Sequence, residues 1–456
     1  METRFLRSLK QIWSNGSIPS KIAVSLSGGV DSMCLIHLLN KVNQLENLNI
    51  SIYPISMDHG LRKESSNELK FIHHEMEKLG LDSNFQSCKL DLSSLYTSNT
   101  DSTSISFEKL ARIKRYDKLH EICNHLQIQN IFTGHHADDN LETFVLRLLN
   151  NSGEFGLRGI SKISNAPLLS KPFISFNQLK LIRPLLDFNK FEIYKYANEQ
   201  NTNWVEDYTN NEMIAKRNII RKYLKENKET SKVLQETQHE VINLTNQIEI
   251  KVNNLYHKLQ NQGTITQNLN SLNIELDQEI INSNSNIIIA RLLFKLAYPY
   301  SPMLHYHYRF TKFLDHIPNL LKQENFTLMS LKWESKSIKS KNPDNKGIKI
   351  KIKRQVESQN EPLEIIIPPN SKTNWILFDN IYWFKFQNNE SQSKSFKIRR
   401  VTKNDLFLKK QLGIKSLSNY ENLPIIYDLK KGEFQLPTVS PNPEINWKFK
   451  QNIFEF

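Results

Sequence analysis

The stretch Lys21-Ile-Ala-Val-Ser-Leu-Ser-Gly-Gly-Val-Asp-Ser-Met-Cys-Leu-Ile-His-Leu-Leu39 constrains the fold more than any other part of the chain. Ile22 to Leu26 is a short, mostly apolar run of the kind buried inside a parallel sheet. Ser27-Gly28-Gly29 interrupts it, and from Asp31 onward Leu35, Leu38 and Leu39 recur at helical spacing. The reading is therefore strand, glycine turn, helix. Two adjacent glycines allow a positive φ and a close backbone approach to a ligand. The first N–H groups of the helix face back to the turn and suit an anion. Ser27 and Ser32 add hydroxyl donors, and Asp31 is an acid that could hold a magnesium ion beside phosphate. Neither Gly-Lys-Ser/Thr nor Gly-x-Gly-x-x-Gly is present.

The same alternation continues downstream. Ile50 to Met57 reads as a strand ending in Asp58-His59-Gly60-Leu61-Arg62, and a helix over Asn67 to Leu79 places Leu69, Ile72, Met76 and Leu79 on one side. Phe85 to Leu90 suits a third strand, and the Ser/Thr/Asn-rich segment Leu95 to Ser106 a flexible loop. The helix expected over Phe107 to Leu126 carries Arg112 and Arg115, three apart and facing the same way, and guanidinium suits nucleotide phosphates. After a strand at Asn130 to Thr133, Gly134-His-His-Ala-Asp-Asp-Asn-Leu-Glu-Thr143 opens another helix. Strands alternating with helices predict an α/β domain with a doubly wound parallel sheet, whose ligands sit at the carboxyl ends of strands. The glycine turn, the Asp58 to Arg62 cluster and the Gly134 to Thr143 cluster all fall at such ends. Asp138, Asp139 and Glu142 share one side of a first helical turn. Acids favour that position for dipole reasons alone, but two histidines directly before them gather more polar groups than packing at a sheet edge needs. Such carboxylates could bind magnesium or a substrate ammonium, and His135 could donate to phosphate or move a proton.

Beyond Asn150 the pattern loosens into a glycine-punctuated loop, followed by Arg183-Pro-Leu-Leu186, a helix from Lys190 to Gln200, and Trp204 to Asn210. Lys216-Arg-Asn-Ile-Ile-Arg-Lys222 is a compact basic patch, with Lys216, Arg217 and Arg221 as candidates to face RNA. Residues 223–325 read as polar and helical, with Val241, Leu244, Ile248, Val252 and Leu255 at three- and four-residue steps. Ile348, Ile350 and Ile352 alternate with lysines as a half-buried strand, and Trp375 to Phe378 and Ile381 to Phe386 flank Asp379-Asn380 as a hairpin. Phe396 to Val401 and Leu423 to Tyr427 are further strands around a short helix, Lys403 to Leu412. At 456 residues two or three domains are expected. The limits drawn are 1–222 for the sheet domain, 223–333 for a helical middle domain, and 334–456 for a small α+β, β-rich C-terminal domain that binds RNA.

The net charge of +13 suggests a polyanionic partner, nucleic acid ahead of a membrane surface, although an AT-rich genome raises Lys, Asn and Ile together and this chain is rich in all three. Three cysteines without a Cys-x-x-Cys argue for a reducing compartment and against structural zinc, with Cys34 read as packing. His305-x-His307 lacks a third ligand. No run of about 18 apolar residues occurs, so no membrane span is expected. Phe5, Leu6, Leu9, Ile12 and Trp13 form one apolar face, read as a first helix packing beside the sheet, with a mitochondrial presequence as the alternative.

Ser27-Gly-Gly-Val-Asp-Ser32 resembles the pyrophosphate loop of the PP-loop ATP pyrophosphatases. With Asp58-His-Gly-Leu-Arg62, Glu108-x-x-Ala-Arg-x-x-Arg-Tyr116, His135-His-Ala-Asp-Asp-x-x-Glu-Thr143, Arg183-Pro-Leu-Leu186, Glu206-Asp-x-Thr-Asn210 and Arg217-Asn-x-Ile-Arg221, the first 225 or so residues resemble the tRNA(Ile)-lysidine synthetases. Ile398-Arg-Arg400 through Tyr427 is similar only loosely to that family's last domain, and the stretches Tyr96 to Ser106 and Ser161 to Lys180 are longer or more polar than its usual form. The resemblance implies ATP and Mg2+ as cofactors, and free L-lysine and a tRNA(Ile) with a CAU anticodon as partners. ATP would adenylate the C2 oxygen of the wobble cytidine, and lysine would then expel AMP to give lysidine. Ser27, Gly28, Gly29, Val30, Asp31, Ser32 and His59 would bind ATP, with Asp31 on magnesium, and Arg112 or Arg115 would meet the nucleotide phosphate. Asp138, Asp139 and Glu142 would bind lysine, with His135 near the adenylate, and Lys216, Arg217 and Arg221 would bind tRNA. A homodimer stays open, and the compartment would be the cytoplasm in a bacterium or the mitochondrial matrix in a eukaryote. The alternatives are a tRNA thiolase of the same superfamily, for which paired cysteines are missing, an amidating ligase, which would leave the basic carboxyl half unexplained, or a non-catalytic RNA-binding relative.

Overall fold

The computed structural model describes residues 1–14, 18–58, 65–90, 107–166, 179–206, 216–302, 310–338, 347–355, 364–367, 375–386, 395–402, 404–417, 420–430, 432–440 and 445–450. His59, Arg62, the loop 95–106, Asp207 to Asn210 and His305-x-His307, all singled out in the sequence, lie outside these residues. The chain forms two compact units that divide at Thr245/Asn246.

The first unit is built on a six-stranded sheet in the order β3-β2-β1-β4-β6-β5. Its strands are β1 (Lys21–Leu26), β2 (Ser51–Asp58), β3 (Gln86–Lys89), β4 (Asn130–Phe132), β5 (Ile163–Asn165) and β6 (Lys180–Ile182). The first four and β6 run parallel; β5 is antiparallel to β6, and neither β5 nor β6 was expected from the sequence. Both are three residues long, too short to show a period. Ile22, Ala23 and Val24 are buried because helices cover both faces of the sheet. Those helices include α1 (Glu2–Ile12), α2 (Val30–Leu45), α3 (Ser65–Lys78) and α4 (Phe107–Leu126). Phe5 and Leu9 of α1 are fully buried in the same core as Leu35, Leu38 and Leu39, the packed-helix reading of the N-terminus. Cys34 is buried there too, and burial, reinforced by Asp31, pushes its thiol up to about 12. Two further helices follow β4, namely α5 (Ala137–Leu149) and, after β6, α6 (Lys190–Glu199). The order of winding reverses between β1 and β4, the crevice where such sheets take ligands.

Next come α7 (Lys216–Glu226) and α8 (Lys228–Asn261), the long helix that the three- and four-residue steps predicted. The rest of the stretch expected to be helical is only partly so. It contains β7 (Ile265–Gln267) and β8 (Ser271–Asp277), which join β9 (Phe326–Leu328), β10 (Leu331–Ser337) and β11 (Gly347–Arg354) in an antiparallel sheet ordered β7-β8-β11-β10-β9. The limit drawn at 333/334 therefore falls inside β10. The cause is legible afterwards: Leu272, Ile274 and Leu276 are buried while Asn273 and Glu275 are not, a period of two. Helix α9 (Asn286–Ala297) supplies Ile289, Leu292, Leu293 and Leu296 to the same core as Trp333.

Ile348, Ile350 and Ile352 of β11 face that core, as their alternation requires, and Lys349 lies outside against Glu275 at 2.6 Å. The final segment adds β12 (Glu364–Ile367), β13 (Ile376–Phe378), β14 (Tyr382–Phe386), β15 (Phe396–Arg400), β16 (Pro424–Asp428), β17 (Phe434–Gln435) and β18 (Ile445–Phe449) in two antiparallel sheets. The β13–β14 hairpin turns on Asp379 and Asn380, both with positive φ (60° and 54°), the two-residue turn that matches strand twist. No helix among the described residues is long and apolar enough to cross a membrane.

Candidate active site

In-register pairing of Ala23 with Ile131 and Val24 with Phe132 sets the carboxyl ends of β1 and β4 side by side. The turns that follow them meet at Gly134. A Cβ there would lie 3.0 Å from the backbone of both Asp31 and Ser32, so any larger residue would force the two turns apart by a few tenths of an ångström. At the first turn Gly28 takes φ +80°, while Gly29 is extended (φ −73°) and caps α2, so one of the two glycines needs the left-handed region rather than both. Ser32 Oγ accepts from Ser27 N at 3.2 Å and donates to Gly29 O at 2.9 Å, which locks the turn from inside. Ser27 stays exposed, and Val30 sends its side chain into the core, leaving only its backbone to the turn. Val205 N donates to Gly28 O at 2.9 Å and braces the turn from the segment after α6. The N-terminus of α2 thus presents unpaired N–H groups and a positive dipole end beside Asp31.

The acids form one connected array. His136, 5% exposed, sets Nε2 3.7 Å from Asp31 Oδ1 and 3.5 Å from Asp139 Oδ2. Asp139 Oδ2 also accepts from the His136 backbone N–H at 3.2 Å, closing the start of α5. Burial would push the Asp139 carboxyl up, but His136, His135, that N–H and Arg217 outweigh it and hold the group below the ordinary aspartate value. Glu142 is 2% exposed, and two arginines of α7 clasp it. Arg217 Nε donates to Oε2 at 3.1 Å; Arg221 Nε donates to Oε1 at 2.6 Å and Nη2 to Oε2 at 3.1 Å. The clasp is placed by packing, because Ile220 and Leu224 of α7 lie in one cluster with Leu141 and Phe144 of α5. Asp139 Oδ1 stands 3.9 to 4.0 Å from Arg221 and Arg217, beyond hydrogen-bond reach.

The remaining expected residues sort by what they touch. Asp138 Oδ2 accepts from the Lys190 backbone N–H at 3.2 Å, bracing the start of α6. His135 pairs with Thr133 through Nδ1 and Oγ1 at 2.9 Å; burial, then Arg183 and Arg112, push its imidazole down to about 4. Arg112 is exposed and contributes to that field, and both Arg112 and Arg115, which is half-buried, lie over the Tyr116 ring at 5.6 and 5.8 Å. Of the basic patch, Lys216 is exposed, whereas Arg217 and Arg221 turn onto Glu142.

Three residues of the array have no role in the sequence reading, although two of them, His136 and Arg183, stand inside its motifs. His136 bridges the two aspartates. Arg183, 6% exposed, donates to Ser161 O at 2.8 Å and Ser164 Oγ at 3.0 Å, and burial pushes it down to about 10. Lys190 Nζ donates to both oxygens of Asp31, at 2.6 and 2.7 Å, from a position 159 residues away, and no local pattern marks it.

The array fits a nucleotide: a tight turn for phosphate, a helix dipole, and a hard carboxylate in Asp31, 30% exposed at the turn. One carboxylate beside phosphate oxygens is also the donor set magnesium takes when it arrives with a nucleotide.

The profile of the PP-loop domain matches residues 1–228. A tRNA(Ile)-lysidine synthase of Wolbachia sp. subsp. Brugia malayi is 32% identical over 206 residues, 45% of this chain and 43% of that protein. One from Rickettsia bellii (strain OSU 85-389) is 35% identical over 208 residues, 45% of this chain and 42% of that protein. The match therefore spans less than half the length of these relatives. A solved U34-tRNA thiolase from Methanococcus maripaludis covers 53% of this chain and 77% of its own, at 15% identity and a TM-score of 0.41.

Proposed function

The chain belongs to the PP-loop domain family, and we propose that it is a tRNA-modifying ligase. It would use ATP to join free L-lysine to C2 of the wobble cytidine of a tRNA(Ile) with a CAU anticodon. The observation that carries this reading is the unbroken run of contacts from Asp31 through His136 to Asp139 and on to the Arg221–Glu142 clasp. It joins a phosphate turn to a buried acidic array at the neighbouring carboxyl ends of β1 and β4. The named relatives, tRNA(Ile)-lysidine synthases, support the same assignment.

In the first step the C2 oxygen of cytidine attacks the α-phosphorus of ATP. The new O–P bond forms as the α–β phosphoanhydride bond breaks, and pyrophosphate leaves from the turn at Gly28 and Gly29. Mg2+, when bound at Asp31, supplies charge neutralisation to the phosphates. In the second step the neutral ε-amine of lysine attacks C2, the C2–O bond breaks, and AMP departs with the oxygen. Asp139 is suited to receive the amine's proton or its ammonium form, because Oδ1 has no hydrogen bond to the nearby arginines. Glu142, held by Arg217 and Arg221, fixes the side of the site on which the amine enters. His135, neutral near physiological pH, offers an uncharged polar edge near an adenylate without adding positive charge.

The test is incubation with ATP, labelled lysine and candidate tRNA transcripts. Label transfer should require both ATP and lysine, and Asp31→Ala should abolish pyrophosphate release while leaving tRNA binding nearly intact. Pyrophosphate release at the wild-type rate in that variant would remove the turn from the mechanism. Transfer of sulfur or ammonia in place of lysine would reassign the substrate.

A further inference from the structure

We propose that Lys190 is a ligand of the phosphates that leave as pyrophosphate, its ammonium passing from Asp31 to the phosphate group as the nucleotide enters. The inference rests on the ATP half of the reading above and is independent of which amine or tRNA is used.

Four observations converge on it. The Lys190 ammonium reaches both oxygens of Asp31, the second residue of α2 and one turn from Gly28 and Gly29. Its root is fixed. Lys190 opens α6, whose cap is closed by Glu192 N donating to Asn189 Oδ1 and Asn189 N donating to Glu192 Oε2, both at 2.9 Å, and its own N–H is held by Asp138. Its head is not fixed to the same degree, since a four-carbon stem carries a side chain that is 32% exposed. Among the described residues, Arg217 and Arg221 are engaged on Glu142 and Arg183 on Ser161 and Ser164, and Lys190 is the cation seated on the turn's own carboxylate.

The electrostatics demand such a group. A di- or triphosphate entering the turn brings several negative charges next to the Asp31 carboxylate, and like charges at a few ångströms repel strongly in a partly desolvated cleft. Lysine binds phosphate as a mobile point charge, and this one already stands on the carboxylate that phosphate must approach.

A purely neutralising lysine and a phosphate ligand make different predictions, and a double-mutant cycle separates them. Pyrophosphate and ATP are titrated, without tRNA or lysine, into the full chain and into Lys190→Met and Lys190→Arg, each also in the Asp31→Asn background. Lys190→Met should weaken pyrophosphate binding roughly tenfold, the cost of one charge-assisted hydrogen bond. A several-fold loss should persist in the Asp31→Asn background, and Lys190→Arg should retain most of the affinity. If the loss vanishes once Asp31 is neutral, Lys190 only screens that carboxylate and the proposal falls. It falls equally if Lys190→Met binds pyrophosphate as wild type does, or if the wild-type chain binds no pyrophosphate. Absence of lysine transfer to tRNA, with the nucleotide result intact, would sink the lysidine reading and leave this one standing.

Discussion

Each unit of the molecule contains a carboxylate clasped by two arginines, and the two clasps differ in what surrounds them. In the first unit Glu142 is held by Arg217 and Arg221, whose side chains are 37% and 42% exposed. In the second, Asp379 at the β13–β14 turn is held by Arg354 at 2.5 Å and by Arg400, only 5% and 12% exposed. The Asp379 cluster is sealed, so its charges have no ligand to exchange with and serve to fix a tight turn between strands. The Glu142 clasp is buried on its acid side and open on its arginine side, next to an aspartate whose carboxylate the arginines do not hydrogen-bond. The same ion pair is thus a rivet in one place and an adjustable fitting in the other; solvent access decides which.

The largest effect should come from opening the sealed clasp. Asp379→Ala removes the anion that Arg354 and Arg400 share in a buried setting, a loss of about 3–5 kcal/mol. It should be read as accelerated hydrogen exchange through β13, β14 and β15, and unchanged protection there would mean the arginines find other partners. At the open clasp, Glu142→Gln should reduce lysine transfer about a hundredfold, the scale of one charged hydrogen bond network, while exchange in α5 and α7 changes little. Comparable losses of protection at both sites would erase the distinction.

The smallest effect concerns pH. Burial, with help from Arg183, holds His135 at about 4 against an ordinary 6.5. Between those values the unfolded chain binds a proton that the folded chain does not, so this residue makes stability rise with pH across that window and fall as the solution is acidified. His135→Asn should flatten that part of the stability curve, measured by denaturant midpoints at several pH values. Identical slopes in both proteins would show that His135 is solvated.

The parts of the molecule legible in sequence are those whose signal is local. Ile22 to Leu26 followed by Gly28 announces a strand and its turn, Asp379-Asn380 announces a hairpin, and Ile348, Ile350 and Ile352 announce a strand face. The Ser271–Asp277 strand was equally local, but its short alternation sat among longer helical steps and was read with them. Lys190 and Arg183 could not be read this way. Their roles are set by partners that the sheet brings together, and nothing in Asn189-Lys190-Phe191 says that an aspartate lies within reach. His136 was in view but stood beside His135, and only the direction of the helix start decides which ring turns inward.

Gly134 has one more consequence. A Cβ on it would crowd the main chain of Asp31 and Ser32, so the turn after β1 and the start of the segment that carries the acids come into backbone contact here. Neither can slide without carrying the other along. In the proposed reaction, the spacing between the turn and the acids would then be set by the main chain rather than by any side chain's reach.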